Sequence, residues 1–212
     1  MAEECAKRRL AAILAADVAG YSRLMERDEA GTLAALKSRR KEVLEPLVIR
    51  HRGLIFKIAG DSVLIEFASA VHAVQCAVDL QQGMAAANGE LPADRRIVLR
   101  IGVNLGDVMV EGGDLYGDGV NISARLEAIA DPGGVLISGT AFDYVKNKIT
   151  ARFEDRGSQT LKNIAEPVRV YRLADVQRDP LISAKTAPDQ PSIAVLSFVN
   201  MSSDPEQDYF AD

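Results

Sequence analysis

Two acids stand where their neighbours make acids unexpected. Asp17 directly follows the apolar run Leu10 to Ala16, and Asp61 closes Ala59-Gly60-Asp61 between two β-rich apolar runs. A carboxylate at the end of a buried strand is costly unless a cation balances it. Taken singly, Asp17 reads as the cap of a following helix and Asp61 as a turn residue. As a pair they can hold divalent cations. Mg²⁺ is usually bound by one or two carboxylates plus substrate phosphates, so two strand-end acids with no His or Cys nearby suit it better than zinc. After Asp17, the segment Val18-Ala19-Gly20-Tyr21-Ser22 leads through a glycine into a helical pattern, where backbone N–H groups can cradle phosphate. No Gly-x-x-x-x-Gly-Lys-Ser/Thr run occurs, which excludes a P-loop ATPase.

A further cluster runs from Asp114 to Arg125. Asn121 and Arg125 are four residues apart and share one helix face beside the apolar positions Ile122 and Leu126. An amide and a guanidinium projecting together suit a ribose and a charge developing on phosphorus. The plainer alternative is an Arg125 paired with a neighbouring acid and an Asn121 that caps a loop. Gly112, Gly113, Gly117 and Gly119 do not spell a dinucleotide-binding fingerprint. His51 and His72 have no partners at ligand spacing and read as ordinary helix residues.

The elements that must position these groups belong to a chain of 212 residues, 48% apolar and 26% charged, with 25 Lys and Arg against 30 Asp and Glu. Such a chain buries a real core. Its length is slightly generous for one domain of about 100–200 residues. The net charge of −5 argues against a protein that holds nucleic acid through its phosphates. The one basic cluster, Lys37-Ser38-Arg39-Arg40-Lys41, reads as a solvated helix face. Two cysteines, Cys5 and Cys76, are too few and too far apart for a disulfide framework or a zinc site, so a reducing compartment, the cytoplasm by default, is expected. The longest apolar run has seven residues where a membrane span needs about 20, and no secretory signal pattern is expected.

Residues 8–17 read as a buried strand, Asp28–Arg50 as an amphipathic helix, and 54–58 with 62–67 as a hairpin turning at Gly60. A helix over about 70–87 precedes a strand pair at 97–103 and 107–110. Another helix over 118–130, with Ile122, Leu126 and Ile129 on its apolar face, stops at Asp131-Pro132-Gly133-Gly134. Strands at 135–137 and 168–173 complete the block. Hairpins covered by helices predict an α+β sandwich, not a doubly wound parallel sheet. Residues 175–191 read as a linker, and residues 192–212 start a fresh β-like run that cannot bury itself alone.

Three separated motifs in order, Ala16-Asp17-Val18-Ala19-Gly20-Tyr21-Ser22, Lys57-Ile58-Ala59-Gly60-Asp61, and Asp114 through Arg125, closely resemble the catalytic domain of class III adenylate and guanylate cyclases. The likeness runs from about Arg8 to Leu173, placing the domain in residues 1–174. It implies a ferredoxin-like α+β fold, with an antiparallel sheet covered by helices, acting as a head-to-tail homodimer with its active sites at the interface. It also implies that Asp17 and Asp61, with the Val18 carbonyl, hold two Mg²⁺ or Mn²⁺ ions. Lys57 and Asp114 match the pair that reads the purine, and Asn121 and Arg125 match the pair that orients the ribose and stabilises the transition state.

Lysine donates to adenine N1 and aspartate accepts from the exocyclic amine, so the resemblance implies ATP as substrate and cyclic AMP as product. A guanylate cyclase and a non-catalytic nucleotide-binding dimer module are the alternatives. Some family members carry a phosphate-contacting Arg where this chain has Asp107 after Gly106. Triphosphate binding then falls to Lys162 or another cation, beside the Tyr21 and Ser22 segment. The stretch from Pro191 to Asp212 resembles the truncated opening of a TolB-like module.

Overall fold

The computed structural model describes residues 7–112 and 114–174. The linker and the module start expected beyond residue 174 lie outside the described residues.

Strand β1 (Lys7–Val18) runs through the middle of the sheet and alternates strictly. Ala12, Leu14, Ala16 and Val18 enter the main core, while Ala11 and Ile13 enter a smaller one on the opposite face. This is the period-2 consequence of the extended chain. Asp17 therefore shares the second face, even though the run before it is apolar on both sides.

Helix α1 (Tyr21–Arg27) follows, and Asp28 then caps α2 (Glu29–Arg39) by accepting from the Gly31 N–H at 2.9 Å. A π turn at Arg40–Leu44 joins α2 to α3 (Glu45–Arg50). The single helix expected over 28–50 is thus interrupted by one wide turn. Its basic cluster is not simply solvated: Arg39 donates to the Ala87 carbonyl at 2.5 Å, and Arg40 donates to the Gly60 carbonyl. His51 ends α3 rather than lying within it, with its Nε2 2.8 Å from Asp79 Oδ2.

The hairpin β2 (Gly53–Ala59) and β3 (Ser62–Phe67) turns at Gly60, whose φ of 61° is the left-handed conformation that glycine tolerates. Helix α4 (Ala70–Asn88) then packs across the core face. The strand pair expected over 97–110 is one continuous strand, β4 (Leu99–Glu111), and its hairpin partner is the short β5 (Asp114–Tyr116). Gly106, between the two expected strands, lies in mid-strand. A Cβ there would come within 3.2 Å of the Gly119 Cα. Glycine at this place serves close packing, not chain reversal.

The remaining elements are α5 (Asp118–Ile129), β6 (Val135–Ser138), α6 (Gly139–Val145), β7 (Phe153–Gln159) and β8 (Val168–Leu173). Strand β7 escaped the sequence reading because its residues are mostly polar and exposed. The sheet order is β2-β3-β1-β4-β6-β8-β7, with β5 on β4, and every pairing is antiparallel except β4 with β6. This is the mixed α+β, largely antiparallel architecture expected. Helices α4 and α6 cover one face with Leu14, Ile65, Phe67, Ile101 and Val103 beneath them.

Helix α5 covers the other face, and a period-2 set on β4 seats it. A Cβ on Gly102 would lie 2.2 Å from the Ser123 carbonyl oxygen and 2.3 Å from the Glu127 nitrogen. The Asn104 Nδ2 donates to the Gly119 carbonyl at 3.0 Å, and Gly106 lies against Gly119. The buried face of α5 is consequently Val120, Ser123, Leu126 and Glu127, continued by Ala130. Ile129, expected inside, is 50% exposed. Because the obstacle at Gly102 is backbone on the helix, Gly102→Ala should cost about 3 kcal/mol in urea unfolding. A loss below about 0.5 kcal/mol would show that α5 does not depend on this seat.

Candidate functional site

Asp17 and Arg100 are opposite residues in the β1–β4 register, so their side chains leave the sheet on the same face. The Arg100 Nε donates to Asp17 Oδ1 at 3.0 Å, and its Nη2 donates to Asp17 Oδ2. This is the cation that a strand-end carboxylate requires. Both side chains are mostly covered, at 14% exposure for Asp17 and 28% for Arg100. Asp17 does not cap the next helix, since the N-cap of α1 is Gly20 and no side chain bonds there.

Asp61 reaches the same corner from the β2–β3 turn, where its Oδ2 accepts from the Val18 N–H at 3.3 Å. It is more than a turn residue. The contact brings the second acid to the residue next to Asp17, so the two carboxylates lie at one corner of the sheet. Glu127 enters from α5, 3.5 Å from the Arg100 Nη2. Its Oε1 is buried and makes no hydrogen bond.

Burial pushes the Glu127 carboxyl up to about 8, helped by its contact with Asp17 and by the charge on Asp61, while Arg100 opposes the shift. Two carboxyl groups, Asp17 and Glu127, thus contact one guanidinium, and Asp61 acts on it only through its charge. Among the described residues, no three His, Cys, Asp or Glu side chains form a cage able to hold a metal ion by themselves. Asp17 and Asp61, with the Val18 carbonyl, would offer only hard oxygens. Such a set fits a cation such as Mg²⁺ that completes its shell with substrate phosphates.

The other expected residues lie apart from this corner. Lys57 is exposed on β2, and Asp114 stands on β5 with the Tyr116 hydroxyl 3.2 Å from its Oδ2. β5 touches β2 without pairing to it, so the two expected purine readers lie on strands that meet across the sheet face. Tyr21 packs partly against the main core, whereas Ser22 is exposed at the start of α1. Asn121 is exposed, and Arg125 donates from Nε to the Lys162 carbonyl at 3.1 Å rather than pairing with an acid. Arg125 is two residues before Glu127, so the two project from opposite sides of α5. Lys162 itself is exposed and meets Arg125 through its backbone. At the position of the absent phosphate-contacting Arg, Asp107 pairs with Arg8 at 3.3 Å.

Arg100 and Glu127 were not singled out in the sequence. A signal for Arg100 existed in the charge amid Leu99-Arg100-Ile101, but only strand register reveals which acid it faces.

Residues 5–175 match the family model described as the adenylate and guanylate cyclase catalytic domain. The chain belongs to this family. It is 59% identical, across its whole length and 37% of that protein, to "Putative adenylate cyclase 3" of Rhizobium meliloti. It is 35% identical over 66% of its length to an adenylate cyclase of Streptomyces coelicolor, covering 35% of that protein. The chain thus spans little more than a third of the length of these curated relatives. Among solved structures, the adenylate/guanylate cyclase/hydrolase from Silicibacter pomeroyi superposes with a TM-score of 0.75 at 44% identity, over 79% of this chain and 98% of that one. The adenylyl cyclase CyaB from P. aeruginosa shares the fold, with a TM-score of 0.72 at 24% identity, over 82% of this chain and 97% of that one. Among the described residues of this cyclase domain, no helix is long and apolar enough to cross a membrane.

The raised Glu127 carboxyl predicts a pH signature. In the folded state it keeps its proton up to about pH 8, while the unfolded chain releases it near 4.5, so stability from this group falls as pH rises through that window. With EDTA present, Glu127→Gln should flatten the fall in melting temperature between about pH 5.5 and about pH 8.5 relative to the wild type. Parallel curves for the two proteins would contradict the assignment.

Proposed function

We propose that this domain is an adenylate cyclase that converts ATP to 3′,5′-cyclic AMP and pyrophosphate as a head-to-tail homodimer. The observation that carries this reading is the division of the site within one protomer. Asp17, Val18 and Asp61 meet at one corner, while Arg125 leaves the opposite side of α5 towards Lys162. A second copy can bring its Asn121 and Arg125 to the acidic corner of the first. The sheet face beside α5 agrees with this. On its β2 edge Leu54 is 63% exposed near Lys57, so this face is open to a second copy.

Asp17, the Val18 carbonyl and Asp61 would hold two Mg²⁺ or Mn²⁺ ions, which when bound make the ribose 3′-hydroxyl more acidic and neutralise the triphosphate. Lys57 donates to adenine N1 and Asp114 accepts from the 6-amino group, a pattern that guanine reverses. Asn121 orients the ribose so that its 3′-oxygen lies in line with the α-phosphorus. The new bond forms between those two atoms as the bond from the α-phosphorus to the pyrophosphate oxygen breaks, and the proton of the 3′-hydroxyl passes to water. Arg125 neutralises charge that builds on the phosphoryl oxygens. The backbone at Tyr21 and Ser22, with Lys162, serves the outgoing phosphates.

The test is cyclic nucleotide production from ATP and from GTP, with Mg²⁺ or Mn²⁺. Wild type should prefer ATP, with a rate per subunit that rises with protein concentration. Asp17→Ala and Arg125→Ala should each lose about a hundredfold or more. Mixed in equal amounts, these two dead variants should recover about one quarter of the wild-type rate, because half the dimers are mixed and each has one intact site of two. Absence of recovery would overturn the shared-site dimer, and a preference for GTP would make the domain a guanylate cyclase.

A further inference from the structure

We infer that Arg100 is a built-in competitor for the metal site: it and the divalent cation would contend for the Asp17 carboxylate. This rests on the reading of Asp17 as a metal ligand given above. Three observations carry it beyond that reading. First, Arg100 engages both carboxylate oxygens of Asp17, Oδ1 through Nε and Oδ2 through Nη2. A guanidinium fork and a divalent cation on one carboxylate are like charges at close range, in a corner that solvent reaches poorly.

Second, Arg100 has other partners waiting. Its Nη1 donates to the Ala128 carbonyl at the end of α5 at 3.2 Å, and its Nη2 lies 3.5 Å from Glu127 Oε1. That Glu127 oxygen is buried without a hydrogen bond, so it can accept the guanidinium when Asp17 is taken. The displaced arginine keeps partners on α5 and is not driven into solvent.

Third, Asp61 is held differently. It accepts from the Val18 backbone N–H at 3.3 Å, and none of the hydrogen bonds or ion pairs that Arg100 makes goes to it. The two carboxylates of the corner therefore differ in availability: Asp61 is open to a cation, whereas Asp17 must be surrendered by Arg100. Competition of this kind weakens metal binding in the resting domain and makes completion of the site depend on whatever strengthens the cation's hold, such as the triphosphate of the substrate.

The experiment measures Mn²⁺ binding by the full chain without nucleotide, from the free-ion electron paramagnetic resonance signal, for wild type, Asp17→Asn, Arg100→Gln and Arg100→Lys. Circular dichroism and thermal melting in EDTA check that each is folded. Arg100→Gln should bind Mn²⁺ about tenfold more tightly than wild type, because a charged hydrogen-bonded rival has been removed. Arg100→Lys, which cannot grip both oxygens, should fall between. Asp17→Asn should lose the tight binding.

If folded Arg100→Gln binds Mn²⁺ no better than wild type, the competition is overturned and Arg100 merely positions Asp17. Wild-type binding in Asp17→Asn would instead overturn the metal reading itself, and the inference with it. Should Arg100→Gln fail to fold, the wild-type protein decides. The Arg100 Nε–H resonance, identified by its loss in Arg100→Lys, should move on titration with Mg²⁺ as its bond to Asp17 is given up. A resonance that stays in place at saturating Mg²⁺ overturns the proposal.

Discussion

A carboxylate cannot be placed at the end of a central strand without an answering charge, and the pairing of Asp17 with Arg100 supplies it. The pair is created by register: β1 and β4 run antiparallel, and residue 17 falls opposite residue 100. A shift of β4 by one residue would turn Arg100 to the helix-covered core and leave Asp17 facing an apolar side chain. Everything else at the corner follows from this placement. Asp61 comes to Val18 because β3 pairs with the other edge of β1, and the short turn at Gly60 leaves Asp61 at the same end of the sheet.

The same alternation on β4 explains why the site has two sides. Arg100, Gly102, Asn104 and Gly106 all face α5, respectively as charge, close contact, hydrogen-bond donor and close contact. They draw the helix so near that its inner face must be Ser123 and Glu127, and Arg125 is thereby forced outward to Lys162. Helix geometry, with 3.6 residues per turn, does not allow residues 125 and 127 to face one direction. A single protomer therefore cannot bring Arg125 and the Asp17 corner together without rotating α5 on a seat that has no room for a different side.

Much of this was legible in the sequence, for identifiable reasons. The hairpin at Gly60 and the strand ending at Asp17 announced themselves by apolar runs closed by glycine or acid, which are local signals. Helix α5 was found, but its buried face was misjudged, because Ile129 is apolar yet exposed while Glu127 is charged yet buried. Periodicity reads hydrophobicity, and Glu127 is held inside by a partner on another strand. β4 was split in two around Gly106, and only the approach of Gly119 shows the purpose of that glycine. Strand β7 is polar at nearly every position and is recruited by pairing with β8. Each miss arises where tertiary contact decides against local composition.

The two faces of the sheet divide the work between stability and chemistry. On the α4 and α6 side lie the large side chains Leu14, Ile65, Phe67, Leu80 and Ile101, all essentially inaccessible to water. On the α5 side glycine, asparagine, serine and ion-pair contacts stand beside two smaller apolar clusters, one around Ile13, Val108 and Val120 and one around Leu126, Leu136 and Val170. Polar contacts of this kind contribute little net stability, since each replaces an interaction with water. The large core offsets what the acidic corner costs. An excess of carboxylates over guanidinium can persist on one face because burial on the other fixes the strands in register, and that excess is what makes the corner a place for added positive charge.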